Sequence, residues 1–305
     1  MNQPEPPTRA RRVSLAEALD LVQQHQSGGR TQEAQALLRR IAEAKPADPR
    51  LLHRIALQAL QLNLPGVALP ALEQAAHLAP LDAMVQSHLG ELLRRLGRVE
   101  EAIAAGERAV ALAPDRPDCL LNLTAALLDR REAARALPLL EKVRTLRPDL
   151  PAALSNLGNA HRILGQLPAA IEASRAALAI DPNLAETHSN LALSLRDLGE
   201  RAGARHHLRE ALRLQPTHGN ARSTLAMLDL LEGDFAAGWP GYEYRWASNE
   251  MRPRQLPMPA WQGEPLAGRH LFVHAEQGHG DTNHMARYLP LLAQRGARVT
   301  CEAQP

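Results

Sequence analysis

The sequence predicts a mostly α-helical protein, a right-handed solenoid of stacked helix pairs followed by a short, incomplete α/β segment. Three observations carry that prediction. Four residue series recur every 34 positions with no insertion between them. Every Phe, Trp and Tyr lies at or beyond Phe235, so the two parts of the chain pack by different rules. Beyond the proline-rich stretch that ends near position 268, the apolar pattern shifts from a helical period to short strand-like runs.

The helical array comes first. One series is Ala34, Ala68, Ala102, Ala136, Ala170 and Ala204; another is Pro46, Pro80, Pro114, Pro148, Pro182 and Pro216. A third runs Leu21, Ile55, Leu89, Leu123, Leu157, Leu191 and Leu225, and a fourth Gly29, Asn63, Gly97, Arg131, Gly165, Gly199 and Gly233. The fourth position closes a first helix by turning the backbone left-handed, which Gly and Asn tolerate and which predicts mild strain at Arg131. The alanine opens a second helix where two helices cross closely. The proline follows that helix, whose hydrogen bonding it cannot continue. The leucine position is expected to fill the groove between paired helices. Such a pair cannot bury its apolar face alone, so neighbouring pairs must stack.

The run Asn156-Leu157-Gly158 and the Ala170 to Pro182 spacing resemble the tetratricopeptide repeat family over residues 15–247. That resemblance implies six full repeats over 15–218, and residues 1–14 ahead of them read as a disordered tail. A seventh repeat begins at Gly219, and over 219–247 its second helix becomes an atypical cap. Residues 234–247 place Trp239, Tyr242 and Trp246 on one helical face, read as a hydrophobic plug on the end of the array.

The sixth residue of each first helix lies on a stripe apart from the apolar one. It reads Asp20, Arg54, His88, Asn122, Asn156, Asn190 and Thr224. Asn122, Asn156 and Asn190, joined by Asn159, form a ladder of amides that each offer a donor and an acceptor to a peptide backbone. A plain solvated face is the alternative reading. The superhelix of the O-linked N-acetylglucosamine transferase, which this array resembles, carries such a ladder along its peptide groove. His206-His207 has no metal-ligand partner at the right spacing and reads as solvated. Arg94-Arg95 and Arg130-Arg131 are interleaved with acids and read as surface charge.

A proline-rich linker over 248–268 leads to the final segment, 269–305. There His270–Ala275 reads as a strand, EQGHGDTN as a glycine loop, and His284–Arg295 as a helix with Met285, Tyr288, Leu289 and Leu292 on its apolar side. A second strand begins at Arg298. Strand, loop, helix and strand open a parallel α/β domain. Residues 233–305 resemble the junction in bacterial proteins that fuse tetratricopeptide repeats to a heptosyltransferase-like glycosyltransferase domain. The resemblance implies a glycine loop at Gly278 and Gly280 and a general base at Asp281. By position, Asp281 is equally a helix N-cap. His274, His279 and His284 beside it are not expected to hold a metal.

With 35 basic and 33 acidic residues the net charge is +2, which excludes a field that draws the chain to nucleic acid. No apolar stretch is long enough to span a membrane, and no secretory signal opens the sequence. Cys119 and Cys301 have neither metal-ligand nor disulfide-framework spacing, which makes the cytoplasm the expected compartment. No cofactor is expected. The expected function is a scaffold holding a peptide or protein in the concave groove. The alternative is the N-terminal portion of a glycosyltransferase. Whether the chain is an enzyme stays open, since the domain that would bind a nucleotide-sugar is not in these residues. A nucleotide-sugar is expected as a partner only if that domain is supplied.

Overall fold

A computed structural model describes residues 14–247, 256–275, 282 and 285–302. The chain divides into two compact units, Met1–Met251 and Arg252–Pro305. The first unit is a solenoid of helix pairs. They are α1 (Leu15–Ser27) with α2 (Thr31–Glu43), α3 (Pro49–Gln61) with α4 (Pro65–Leu78), and α5 (Ala83–Arg95) with α6 (Val99–Leu112). Next come α7 (Pro117–Asp129) with α8 (Ala133–Leu146), α9 (Pro151–Ile163) with α10 (Leu167–Ile180), and α11 (Ala185–Asp197) with α12 (Arg201–Leu214). The last pair is α13 (Gly219–Leu231) with the short α14 (Phe235–Tyr242), which runs into a 3-10 turn over Glu243–Ala247.

Each series in the sequence has a place in this array. All seven turn positions have a left-handed backbone, with φ between +54° at Asn63 and +89° at Gly199. The turn closes by a backbone bond back into the helix, as when the Arg98 N–H donates to the Leu93 carbonyl at 2.9 Å. Arg131 adopts φ +60°, the strained conformation expected of a side chain there. The six alanines are at most 1% exposed, each on a second helix against its partner. Each proline follows the end of a second helix, as Pro80 follows α4 and Pro216 follows α12.

The leucine series is buried from Ile55 to Leu191 and half-buried at Leu225, while Leu21 is 39% exposed. Leu21 therefore departs from the expectation, and the packing explains it. This position meets the preceding repeat: a Cβ on Gly106 of α6 would come within 3.1 Å of the Leu123 side chain on α7. Among the described residues no helix precedes α1, so Leu21 has no such surface to enter.

Helix starts follow local chemistry. Ser14, read above as part of the tail, is the N-cap of α1 in a capping box with Glu17. Asp48 and Asp82 cap α3 and α5 with their carboxylates, and Pro49, Pro117 and Pro151 open their helices.

Of the three residues expected to form an aromatic plug, the side chain of Trp246 lies outside the described residues, and the close approach of α14 to α13 is made by glycines. A Cβ on Gly238 would meet Leu230 at 2.6 Å and one on Gly241 would meet Ala226 at 2.7 Å, so glycines face α13. Trp239, next to Gly238, consequently turns outward and is 51% exposed. Tyr242 and Tyr244 instead carry guanidinium groups over their rings, Arg245 at 4.6 Å and Arg222 at 4.2 Å.

The second unit contains β1 (His270–His274), α15 (Leu289–Gln294) and β2 (Arg298–Glu302). The strands pair in parallel, from His270 opposite Arg298 to His274 opposite Glu302. The expected helix is interrupted: Met285 and Ala286 are helical, a turn follows at Arg287–Tyr288, and α15 begins at Leu289 with Pro290 in its first turn. Leu289 and Leu292 are half-buried, whereas Met285 and Tyr288 are exposed and do not share their packing.

A candidate groove centred on Asn156

Successive first helices lie side by side, α5 against α7, α7 against α9 and α9 against α11, and carry the amide ladder across the array. The rungs are not equivalent. Asn122 Nδ2 donates to Ser87 Oγ at 2.9 Å, so its donor is spent inside the protein. Asn159 Oδ1 accepts from Arg162 at 2.9 Å. Asn190 is only 7% exposed and lies within the packing of α11. Asn156 is half-buried, has no side-chain hydrogen bond among the described residues, and lines an open pocket of about 600 Å³.

The pocket takes its walls from two repeats. Ala152, Ser155 and Asn156 come from α9, while Asn183 to Thr187 come from the turn before α11 and its first turn. Ser155 Oγ and Thr187 Oγ1 bond to each other at 2.7 Å across those helices. His188 holds the turn, with Nε2 donating to the Pro182 carbonyl at 3.1 Å. Its Nδ1 lies 3.0 Å from His207 Nδ1 on α12. His207 is thus turned inward, unlike the solvated face expected of it, while His206 remains exposed. Burial, then the neighbouring His188 and His206 rings and Arg175, push the His207 imidazole down to about 4.

Sequence reasoning passed over Ser155, Thr187 and Glu186. A signal existed for the first of them: Ser87, Ser155, Ser189 and Ser223 all occupy the fifth position of their first helices. The Ser155–Thr187 contact joins a fifth to a third position, a stagger that only the stacked array reveals.

The other end of the same face is charged and internally paired. Arg54 bonds Asp20 at 2.7 Å, and His53 Nε2 lies 2.7 Å from His88 Nδ1. Burial holds both of these imidazoles below the usual histidine range, with His53 adding to the effect at His88. Arg94 bridges Glu91 and Asp129, each at 2.9 Å. Burial works to raise the Glu91 carboxyl, but the bonds from Arg94 and Arg95 outweigh it and hold it low. Gly278, Gly280 and Asp281 lie outside the described residues. Among the described residues, no three His, Cys, Asp or Glu side chains are arranged to hold a metal ion, and no helix is long and apolar enough to cross a membrane.

Tetratricopeptide-repeat family models match residues 53–117 and 185–218, and a TPR-repeat model matches residues 158–199. The helical array is one of tetratricopeptide repeats. Solved structures share the fold. The chain is 21% identical to one from the APC/C hetero-tetramer Cut9-Hcn1, at a TM-score of 0.60 over 70% of this chain and 42% of that one. It is 19% identical to PilW, a type IV pilus biogenesis factor, at a TM-score of 0.57 over 69% of this chain and 98% of PilW. The thermophilic tetratricopeptide repeat protein TTC0263 of Thermus thermophilus is 22% identical, at a TM-score of 0.52 over 60% of this chain and all of that one. No curated protein matches the sequence.

Proposed function

We propose that the tetratricopeptide array is a scaffold that holds an extended peptide segment of a partner protein along its first helices, centred on Asn156. The observation that carries this reading is the uncommitted amide of Asn156 at an open pocket of about 600 Å³. An amide with both a donor and an acceptor free suits a peptide backbone, which presents the same two groups. Its surroundings favour an uncharged main chain. The fifth and sixth positions of α9, α11 and α13 read Ser155-Asn156, Ser189-Asn190 and Ser223-Thr224, with no charge among them. The ladder residues Asn122, Asn159 and Asn190 flank this centre and shape it more than they contact the guest. The two free cysteines, one buried, fit a reducing compartment, and the cytoplasm is the assignment we favour.

The test is selection of binders from a displayed library of random peptides on the whole chain, followed by titration of one selected peptide. Asn156→Ala should weaken that peptide about tenfold, or about 1.4 kcal/mol, with the array still folded. Equal affinity for both proteins would remove Asn156 from the site.

A second reading makes the array the substrate-recognising part of a protein glycosyltransferase. It rests on the sequence resemblance of residues 233–305, and the parallel pairing of β1 and β2 is in keeping with it. In that reading Asp281 takes the acceptor hydroxyl proton and Gly278 and Gly280 form the loop beside it. Calorimetric titration with UDP-N-acetylglucosamine tests where the donor would bind: saturable heat supports a donor site in these residues, and no heat leaves this reading dependent on a donor domain supplied from outside them.

A further inference from the structure

The pocket beside Asn156 has a chemical bias. Its apolar lining comes from Ala152, Leu184 and Leu214, its neutral polar lining includes Ser155 and Asn156, and its one charged group among the described residues is Glu186. No basic side chain is among those that line it.

Glu186 is held in place by a histidine whose tautomer is fixed. His218 caps α13, and its Nδ1 accepts the Ala221 N–H at 3.3 Å, so the ring proton sits on Nε2. That Nε2–H donates to Glu186 Oε2 at 3.0 Å. His218 is 6% exposed, whereas the Glu186 side chain is 67% exposed. A buried ring thus aims a solvent-facing carboxylate without neutralising it, and Oε1 is left for a guest.

One feature of the pocket pulls the other way. The first turn of α11 has no side-chain cap, so its free N–H groups favour an anion. A helix start is equivalent to roughly half a positive charge. The carboxylate in that same turn carries a whole negative one, so the sum favours a cation.

Resting on the reading of this groove as a peptide site, we propose that the pocket is a specificity subsite for a lysine or arginine side chain of the bound segment, selected by Glu186. The aliphatic stem of such a residue packs on Ala152, Leu184 and Leu214 while its head meets the carboxylate. Backbone capture by Asn156 and side-chain selection by Glu186 are separate tasks on one pocket.

The experiment is the same peptide selection run in parallel on the wild-type chain, Glu186→Gln and Glu186→Lys. Wild type should enrich Lys or Arg at one fixed position of the selected peptides. A selected peptide with that residue changed to Ala should bind wild type about tenfold or more weakly, and Glu186→Gln about as well as the parent peptide does. Glu186→Lys should enrich Asp or Glu at that position. His218→Asn keeps an N-cap for α13 but frees the carboxylate, and should reduce the preference while retaining peptide binding. Peptides captured through Asn156 with no basic preference would overturn this proposal and leave the groove reading intact. Capture that is insensitive to both Asn156 and Glu186 would overturn both.

Discussion

The Nδ1 atoms of His188 and His207 face each other at 3.0 Å. Because the Pro182 carbonyl can only accept, His188 carries its proton on Nε2 and offers a lone pair at Nδ1. His207 must then donate from Nδ1, so its second proton would enter at Nε2 and leave a cation half-buried beside the His188 and His206 rings and Arg175.

Acid should therefore weaken the array. The folded value of His207, about 4, lies below the ordinary 6.5, so the unfolded chain binds its proton more readily. The stability this ring contributes is complete above about 6.5, is lost as pH falls towards the folded value, and changes no further below it. His53 and His88 are depressed too and act in the same direction. With water on the open side of His207, the loss is on the order of 1–2 kcal/mol. Urea midpoints at roughly pH 7.5, 6 and 5 read it out across that window. His207→Gln keeps a donor for His188 and should flatten the profile; an unchanged slope in that variant would remove the ring as the cause.

Arg131 is a second point of stored strain. Its φ of +60° stands at a turn where Gly29, Gly97, Gly165, Gly199 and Gly233 serve the other repeats, with Asn63 as the remaining substitute. Arg131→Gly should stabilise the array by about 1 kcal/mol, less whatever the arginine side chain contributes by its own interactions. Thermal melts of the two proteins decide it, and a lower midpoint in the glycine variant would show that those interactions outweigh the backbone.

The array was legible in the sequence because each repeating position answers a local demand: a left-handed turn, a close helix crossing, a helix stop. What escaped depends on neighbours. Leu21 carries the right residue and still stays exposed, since burial at that position is supplied by the repeat before it. Trp239, Tyr242 and Trp246 were read as a packed face, yet Gly238 and Gly241 make the close approach to α13. An absent side chain leaves little trace in an apolar pattern. The amide ladder was visible as spacing, but which rung is open depends on the Ser87 bond to Asn122 and the burial of Asn190.

Gly158, from the run that first pointed to the family, should be intolerant of even a methyl group. A Cβ there would lie 2.3 Å from Ser174 Oγ and 3.1 Å from the Ala170 carbonyl, where α9 crosses α10. The hydroxyl could rotate away, but the carbonyl is backbone and cannot. Gly158→Ala should cost about 1–3 kcal/mol, although Ala is the better helix former. Chemical denaturation measures it. A neutral result would mean that α9 and α10 separate more easily than their packing implies, and Gly158→Ala with Ser174→Ala then tests which atom resists.

Asn122 and Asn156 have the same residue type at the same repeat position, so a pair of alanine substitutions separates structure from binding. Asn122→Ala removes the donor to Ser87 Oγ, and Ser87 is fully buried, so the hydroxyl loses a partner that water cannot easily replace. The expected cost is about 1 kcal/mol. Asn156→Ala breaks no side-chain hydrogen bond among the described residues and gains helix propensity, so stability should hold or rise by a few tenths of a kcal/mol. Peptide affinity should show the reverse order, falling for Asn156→Ala and little changed for Asn122→Ala once both proteins are folded. If the two variants lose stability and affinity together, the ladder is one structural unit, and Asn156 serves the fold and not a guest.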